Sequence, residues 1–158
     1  MRIQNGHTMP PGILRSLTSN GVEEIDTREF FANRKVVLFA VPGAFTPGCT
    51  RNHLPDYVQR ADAIRAKGFD QIACIAVNDA WVMDAWGRAA GAEGKVKMLA
   101  DGSAHYVQAL GLESDLSQFG MGIRSQRFSM VVIDGVVESV HVDPRAIEFT
   151  SATYTCGL

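Results

Sequence analysis

Continuous apolar runs alternate along the chain with segments whose apolar residues step by three and four. The run Val36-Val37-Leu38-Phe39-Ala40-Val41 is apolar at every position and rich in β-branched residues, which predicts a strand buried on both faces. Pro42-Gly43 ends it. Residues 71–77 (QIACIAV) form a second run of this kind. Between the two, Leu54, Tyr57, Val58, Ala61 and Ile64 mark a helix over 49–67, closed by Gly68. Residues 80–90 read as a helix carrying Trp81, Met83 and Trp86, preceded by an Asn78-Asp79 turn that can cap it. A short strand is expected at 97–100, a short helix at 103–110 ending at Gly111, and a strand at 128–133 (FSMVVI). Asp134-Gly135 is a two-residue hairpin signal with 136–142 as the partner strand. Upstream, a strand or hairpin is expected within 13–22, and a short helix at 26–31 with Asp26 as N-cap.

The order is therefore strand–helix–strand–helix–strand–helix–hairpin. A β-α-β start implies parallel pairing through right-handed crossovers, and the closing hairpin adds antiparallel strands. This is an α/β chain with a mixed central sheet, helices on both faces and a C-terminal β-hairpin, compatible with a thioredoxin-like fold. No linker, repeat or low-complexity tract divides it, so residues 1–158 are expected to form one domain. The last ten residues, FTSATYTCGL at 149–158, have no apolar period and are expected to be a tail that is either mobile or docked differently from the short closing helix of relatives of the family described below.

Composition narrows the classes. With 46% apolar and 20% charged residues, a chain of 158 residues can build a core without a disulfide or metal. Fifteen basic against seventeen acidic residues leave a net charge of −2 and no basic stripe, so a nucleic-acid partner is not expected. No apolar run approaches membrane-spanning length, so no membrane partner is expected. Residues 1–12 (MRIQNGHTMPPG) show no secretory pattern, and three cysteines is an odd number. Both suit a reducing, cytoplasmic setting.

The chemistry concentrates at Pro42-Gly43-Ala44-Phe45-Thr46-Pro47-Gly48-Cys49. Cys49 follows a buried strand and starts a helix, where free backbone N–H groups and the helix dipole favour a thiolate. Thr46 can set its hydroxyl beside the sulfur, as donor to a thiolate or acceptor from a bound hydroxyl. Pro42 can pack over the site and exclude water. His53, four residues after Cys49, faces the same side of a helix. A buried structural cysteine is the competing reading, and helix-start placement argues against it.

Pro-x-x-x-Thr-x-x-Cys is the active-site motif of the peroxiredoxins. The string PGAFTPGCT…HLP at 42–55 closely resembles the peroxiredoxin 5 (atypical type II) subfamily. The resemblance continues in VNDAWVMDAWGR at 77–88, AEGKVKMLAD at 92–101 and RFSMVVIDGVV at 127–137. It implies a thiol peroxidase that reduces hydrogen peroxide and organic hydroperoxides. Cys49 would be the peroxidatic cysteine, oxidised to a sulfenic acid as water or an alcohol leaves. Thr46 and Arg127 match the family's oxygen-orienting positions, and Pro42 its shielding proline. His53 and Arg88 match supporting positions; a surface or packing histidine is the rival reading of His53. Arg124, three residues before Arg127, reads as a solvated loop charge.

The resolving step departs from the animal-type enzymes, whose second cysteine aligns with Ser151 here. Cys156 lies five residues further on, and Cys74 sits inside a strand, where a small core residue is the plainer reading. The leading expectation is a one-cysteine mechanism, with the sulfenic acid reduced by glutathione and recycled by glutaredoxin. The alternative is resolution by Cys156 or Cys74 and recycling by thioredoxin. No prosthetic cofactor and no metal are expected. A homodimer through the loops near Phe45 and 77–86 is expected from the family.

Rival classes are weaker. A thioredoxin-type oxidoreductase needs a cysteine where Asn52 stands. A cysteine hydrolase would need His105 or His141 as base and an oxyanion hole. A peroxide sensor or holdase would share the thiol chemistry without turnover.

Overall fold

A seven-stranded mixed sheet organises the chain in the computed structural model, which describes residues 1–47, 49–143 and 151–158, without the side chains of Cys49 and Arg51. Strands β1 (Ile13–Thr18) and β2 (Gly21–Asp26) form an antiparallel hairpin at one edge. Helix α1 (Thr27–Phe31) follows, its Asp26 N-cap accepting from the Arg28 N–H at 2.9 Å. The centre is β3 (Lys35–Ala40), β4 (Gln71–Ala76) and β5 (Lys97–Ala100), all parallel. Strands β8 (Phe128–Ile133) and β9 (Val136–Val142) complete the far side as an antiparallel hairpin on β3. The sheet order is β2-β1-β5-β4-β3-β8-β9. Asp134 and Gly135 have φ of 47° and 77°, the two positive values that a tight primed hairpin turn requires.

Period-two alternation divides the core. Val36, Leu38 and Ala40 of β3 face the side covered by α1 and by α5 (His105–Leu110). Val37, Phe39 and Val41 face the other side, which also receives Ile72, Cys74 and Ala76. That second side is covered by α2 (Leu54–Gln59), α3 (Ala61–Ala66), α4 (Ala80–Ala89) and α6 (Ala152–Cys156). The thioredoxin-like layering read from the sequence is therefore present, helices on both faces included.

Three elements differ from expectation. The helix expected over 49–67 is three pieces: a π-helical turn at Cys49–His53, then α2, then α3 beyond a break at Arg60. Pro55 supplies the reason for the first division. It has no N–H to give to the carbonyl four residues back, and its ring crowds that carbonyl, so the preceding turn widens. A small second sheet, β6 (Glu113–Asp115) with β7 (Ile123–Ser125), folds out of a segment with no apolar period. The tail, expected to be mobile or docked otherwise than as a short closing helix, ends in a docked helix over part of its length. In α6, Ser151 caps through Tyr154 N–H, Ala152 N–H donates to Asp56 Oδ2 at 2.7 Å, and Ala152 and Cys156 are buried. Residues 149–150 of that expectation lie outside the described residues.

Candidate active site

Strand β3 leaves the sheet through Pro42 and Gly43, both buried. Hydrogen bonds pin the loop that follows at several points. Thr46 Oγ1 donates to the Gly43 carbonyl at 2.7 Å, and Ala44 N–H donates to Asn78 Oδ1 at 2.9 Å from the turn after β4. Phe45 takes a left-handed φ of 63°, which turns its ring out to solvent. The Thr46 carbonyl accepts from Thr50 N–H at 2.9 Å, which ties the loop to the π turn. Cys49 opens that turn, and its thiol lies outside the described atoms.

His53 closes the π turn and is fully buried. Its ring packs on Phe39 at 4.8 Å between centroids, and Tyr57 stacks on the same Phe39 at 4.0 Å and 6°. The Tyr57 hydroxyl donates to Ser129 Oγ at 3.3 Å, and burial pushes its phenol well above the ordinary range. Arg127 is buried between β7 and β8, and its Nη1 donates to His53 Nδ1 at 2.9 Å. A guanidinium cannot accept, so Nδ1 is the acceptor and the neutral ring carries its proton on Nε2. Burial first, and then the charge of Arg127, lowers the His53 pKa to about 3. The imidazole is thus neutral at physiological pH.

The sequence candidates now sort by position. Pro42, Thr46, the backbone of Cys49, His53 and Arg127 meet at the C-terminal end of β3. His53 is a buried partner of Arg127, which corrects the surface reading. Arg88 is elsewhere: its guanidinium pairs with Asp84 and Glu93, both at 2.8 Å, on the exposed side of α4. Hydrogen bonding to Asp84 raises its pKa. It makes no contact with His53 or Arg127 among the described residues, so the support expected of it is not there. Cys74 is fully buried in β4, directly beside Phe39 of β3. Cys156, the last residue of α6, is buried, and desolvation pushes its thiol up to about 12. His105 belongs to α5 on the opposite face of the sheet, and the His141 ring packs edge-on against Tyr154 at 4.9 Å.

Four contributors were not read from the sequence. Trp86 of α4 donates its indole N–H to Thr50 Oγ1 at 3.1 Å, bracing the π turn. The Phe39–Tyr57 stack walls His53, and Asn78 holds Ala44. Arg124 is half-buried, with Nε donating to the Met121 carbonyl at 2.9 Å and Nη1 to the Pro42 carbonyl at 3.4 Å. It is not a solvated loop charge. An aromatic at helical spacing signals burial and does not say what its N–H will meet; only the fold brings 86 to 50 and 124 to 42.

The Redoxin family model matches residues 4–155. A peroxiredoxin of Synechocystis sp. is 46% identical over 122 residues, 77% of this chain; the chain spans 64% of that relative's length. Prx3 from Vibrio vulnificus, in its reduced form in complex with hydrogen peroxide, superposes with a TM-score of 0.90 and 50% identity, covering 95% of this chain and 94% of that one. Peroxiredoxin 5 from Alvinella pompejana superposes with a TM-score of 0.82 and 37% identity over 90% of each chain.

Proposed function

The chain belongs to the redoxin family as a peroxiredoxin, a thiol-dependent peroxidase, and from that membership we propose that Cys49 is the sulfur that reduces hydrogen peroxide and organic hydroperoxides. The observation that carries the assignment is the Arg127–His53 contact. It holds a buried cation against the turn that Cys49 opens, while the histidine stays neutral. A cation so placed favours the thiolate and the negative charge that develops on the departing oxygen. The Cys49 thiolate attacks the terminal peroxide oxygen, the O–O bond breaks, and a sulfenic acid forms. The other oxygen takes a proton and leaves as water or alcohol. Thr46 has committed its hydroxyl proton to Gly43, so its lone pairs serve as acceptors that orient the peroxide O–H. Pro42 excludes water from one side. The peroxide bound to the Vibrio vulnificus relative supports hydrogen peroxide as a substrate.

A one-cysteine cycle suits the rest of the molecule. Cys74 is in the middle of the sheet, and Cys156 is buried with a thiol that is protonated at physiological pH. Both thiols are packed into the core rather than presented at the surface. The sulfenic acid is then reduced by glutathione, and glutaredoxin recycles the mixed disulfide. No prosthetic group takes part, because the sulfur carries the electrons. The odd cysteine count suits a reducing cytoplasm, and the apolar loops around Phe45 and 77–86 suit a homodimer.

The deciding experiment treats reduced protein with one equivalent of hydrogen peroxide and a sulfenic-acid trap, then measures intact mass beside Cys49→Ser. A trapped adduct on Cys49, followed by turnover with glutathione and glutaredoxin, is expected. A Cys49–Cys156 or Cys49–Cys74 disulfide would replace the one-cysteine cycle with a thioredoxin-linked one. Oxidation that no reductant reverses would indicate a sensor. Reaction no faster than Cys49→Ser would remove the peroxidase assignment.

A further inference from the structure

Arg124 lies three residues before Arg127, and its guanidinium meets the start of the Pro42–Thr46 loop, whereas that of Arg127 meets His53. It sits on β7, paired with Ser114, and reaches across to β3's exit. Its Nε is fixed by the Met121 carbonyl, and Nη1 points at the Pro42 carbonyl. The same Nη1 lies so close to Gly43 that a Cβ there would meet it at 2.9 Å, with Thr46 Cγ2 at 3.1 Å and Met121 Cε at 3.5 Å. Gly43 is therefore glycine so that the guanidinium and the threonine can both press on its backbone. The Gly43 carbonyl in turn receives the Thr46 hydroxyl. On the loop's other flank, Asn78 takes the Ala44 N–H. Arg124 carries no carboxylate partner within 4.0 Å among the described residues, so its placement is set by these carbonyls alone.

We propose that Arg124 is a positioning residue for peroxide reduction: it clamps the Pro42–Gly43 backbone so that Thr46 presents its lone pairs to the substrate. The proposal rests on the peroxidase reading above. Arg124 acts through the loop and not on the sulfur. Thr46 orients a peroxide, but an alkylating agent such as iodoacetamide needs only the Cys49 thiolate. The two reactions of one sulfur therefore separate positioning from thiolate formation.

Arg124→Gln is tested by stopped-flow oxidation with hydrogen peroxide, by iodoacetamide alkylation of Cys49 across pH, and by thermal unfolding. The expected result is a fall of about 10- to 100-fold in the peroxide rate, the order that a small misplacement of an orienting group produces. The alkylation rate and its pH midpoint stay at the wild-type values. Arg124→Lys restores part of the rate, because an ammonium reaches one carbonyl and not two. Gly43→Ala pushes only the far end of the Arg124 side chain and Thr46, so it gives the same signature if Arg124→Gln does not fold. An unchanged peroxide rate in folded Arg124→Gln overturns the proposal. So does a fall in both reactions with a raised midpoint, which would make Arg124 a direct electrostatic partner of the thiolate. Wild-type protein no faster than Cys49→Ser would instead overturn the peroxidase reading.

Discussion

His53 is held in a place that its charged form cannot occupy. Burial and the neighbouring Arg127 lower its pKa from 6.5 to about 3, so the folded protein binds fewer protons at this site than the unfolded chain does between those values. Stability therefore rises with pH through that window and is lost as pH falls from 6.5 toward 3, by about 1.4 kcal/mol per pH unit at most. Denaturant unfolding at pH 7, 6, 5 and 4 should show this slope, and His53→Gln should flatten it. An equal slope in the variant would assign the acid sensitivity to other groups. Thr46 makes a second prediction at this scale. Thr46→Ser keeps the hydroxyl and should stay within a few-fold of wild type, whereas Thr46→Val should lose about 100-fold in the peroxide rate while alkylation persists. Loss in both variants alike would mean that the methyl group, and not the oxygen, matters.

The elements around the site were unequally legible. Strands β3, β4 and β8 stand out because burial on both faces makes nearly every residue apolar, a pattern with few alternatives. Asp26 and Asp79 were readable as caps, since each aspartate precedes a helical period, and both side chains accept from the first-turn N–H groups. Cys49 and Thr46 stood out as candidates from the motif alone. The π turn was not, because apolar spacing cannot distinguish a widened turn from a regular one. The burial of His53 was equally hidden, as it depends on Phe39, Tyr57 and Arg127 arriving from other elements. Helix α6 was hidden because its docking face is small and polar: a serine cap, one backbone bond to Asp56, Thr155 and Cys156. That face makes a direct prediction. A thiol pushed up to about 12 by desolvation is almost wholly protonated at pH 8. Cys156 should therefore resist a disulfide reagent in the native protein and react within seconds in denaturant. Cys156→Ser should leave glutathione-linked turnover unchanged. Rapid labelling in native conditions, or turnover lost in the variant, would restore Cys156 as the resolving cysteine.

For the whole molecule, the site lies at one end of the sheet, ringed by side chains that the core does not use. Phe45 is 52% exposed and Trp81 63%, and the bond from Ala44 to Asn78 keeps their loops side by side. Phe119 and Ile123 are also exposed, on the segment that carries Arg124. The loop that carries Thr46 is thus the loop with an uncovered aromatic at its tip. A second copy of the chain covering that tip would both bury apolar area and stiffen the Thr46 loop. Sedimentation equilibrium should find a dimer for the wild type. Phe45→Glu and Trp81→Glu should each shift it toward monomer, because a carboxylate in an apolar interface is not solvated there. If the loop is stiffened by its partner, the peroxide rate should also fall as the wild type is diluted through its dimer dissociation range, while iodoacetamide alkylation stays constant. A monomer at all concentrations would leave these aromatics to another partner. A dimer whose peroxide rate does not change on dilution would separate association from the arrangement of the site.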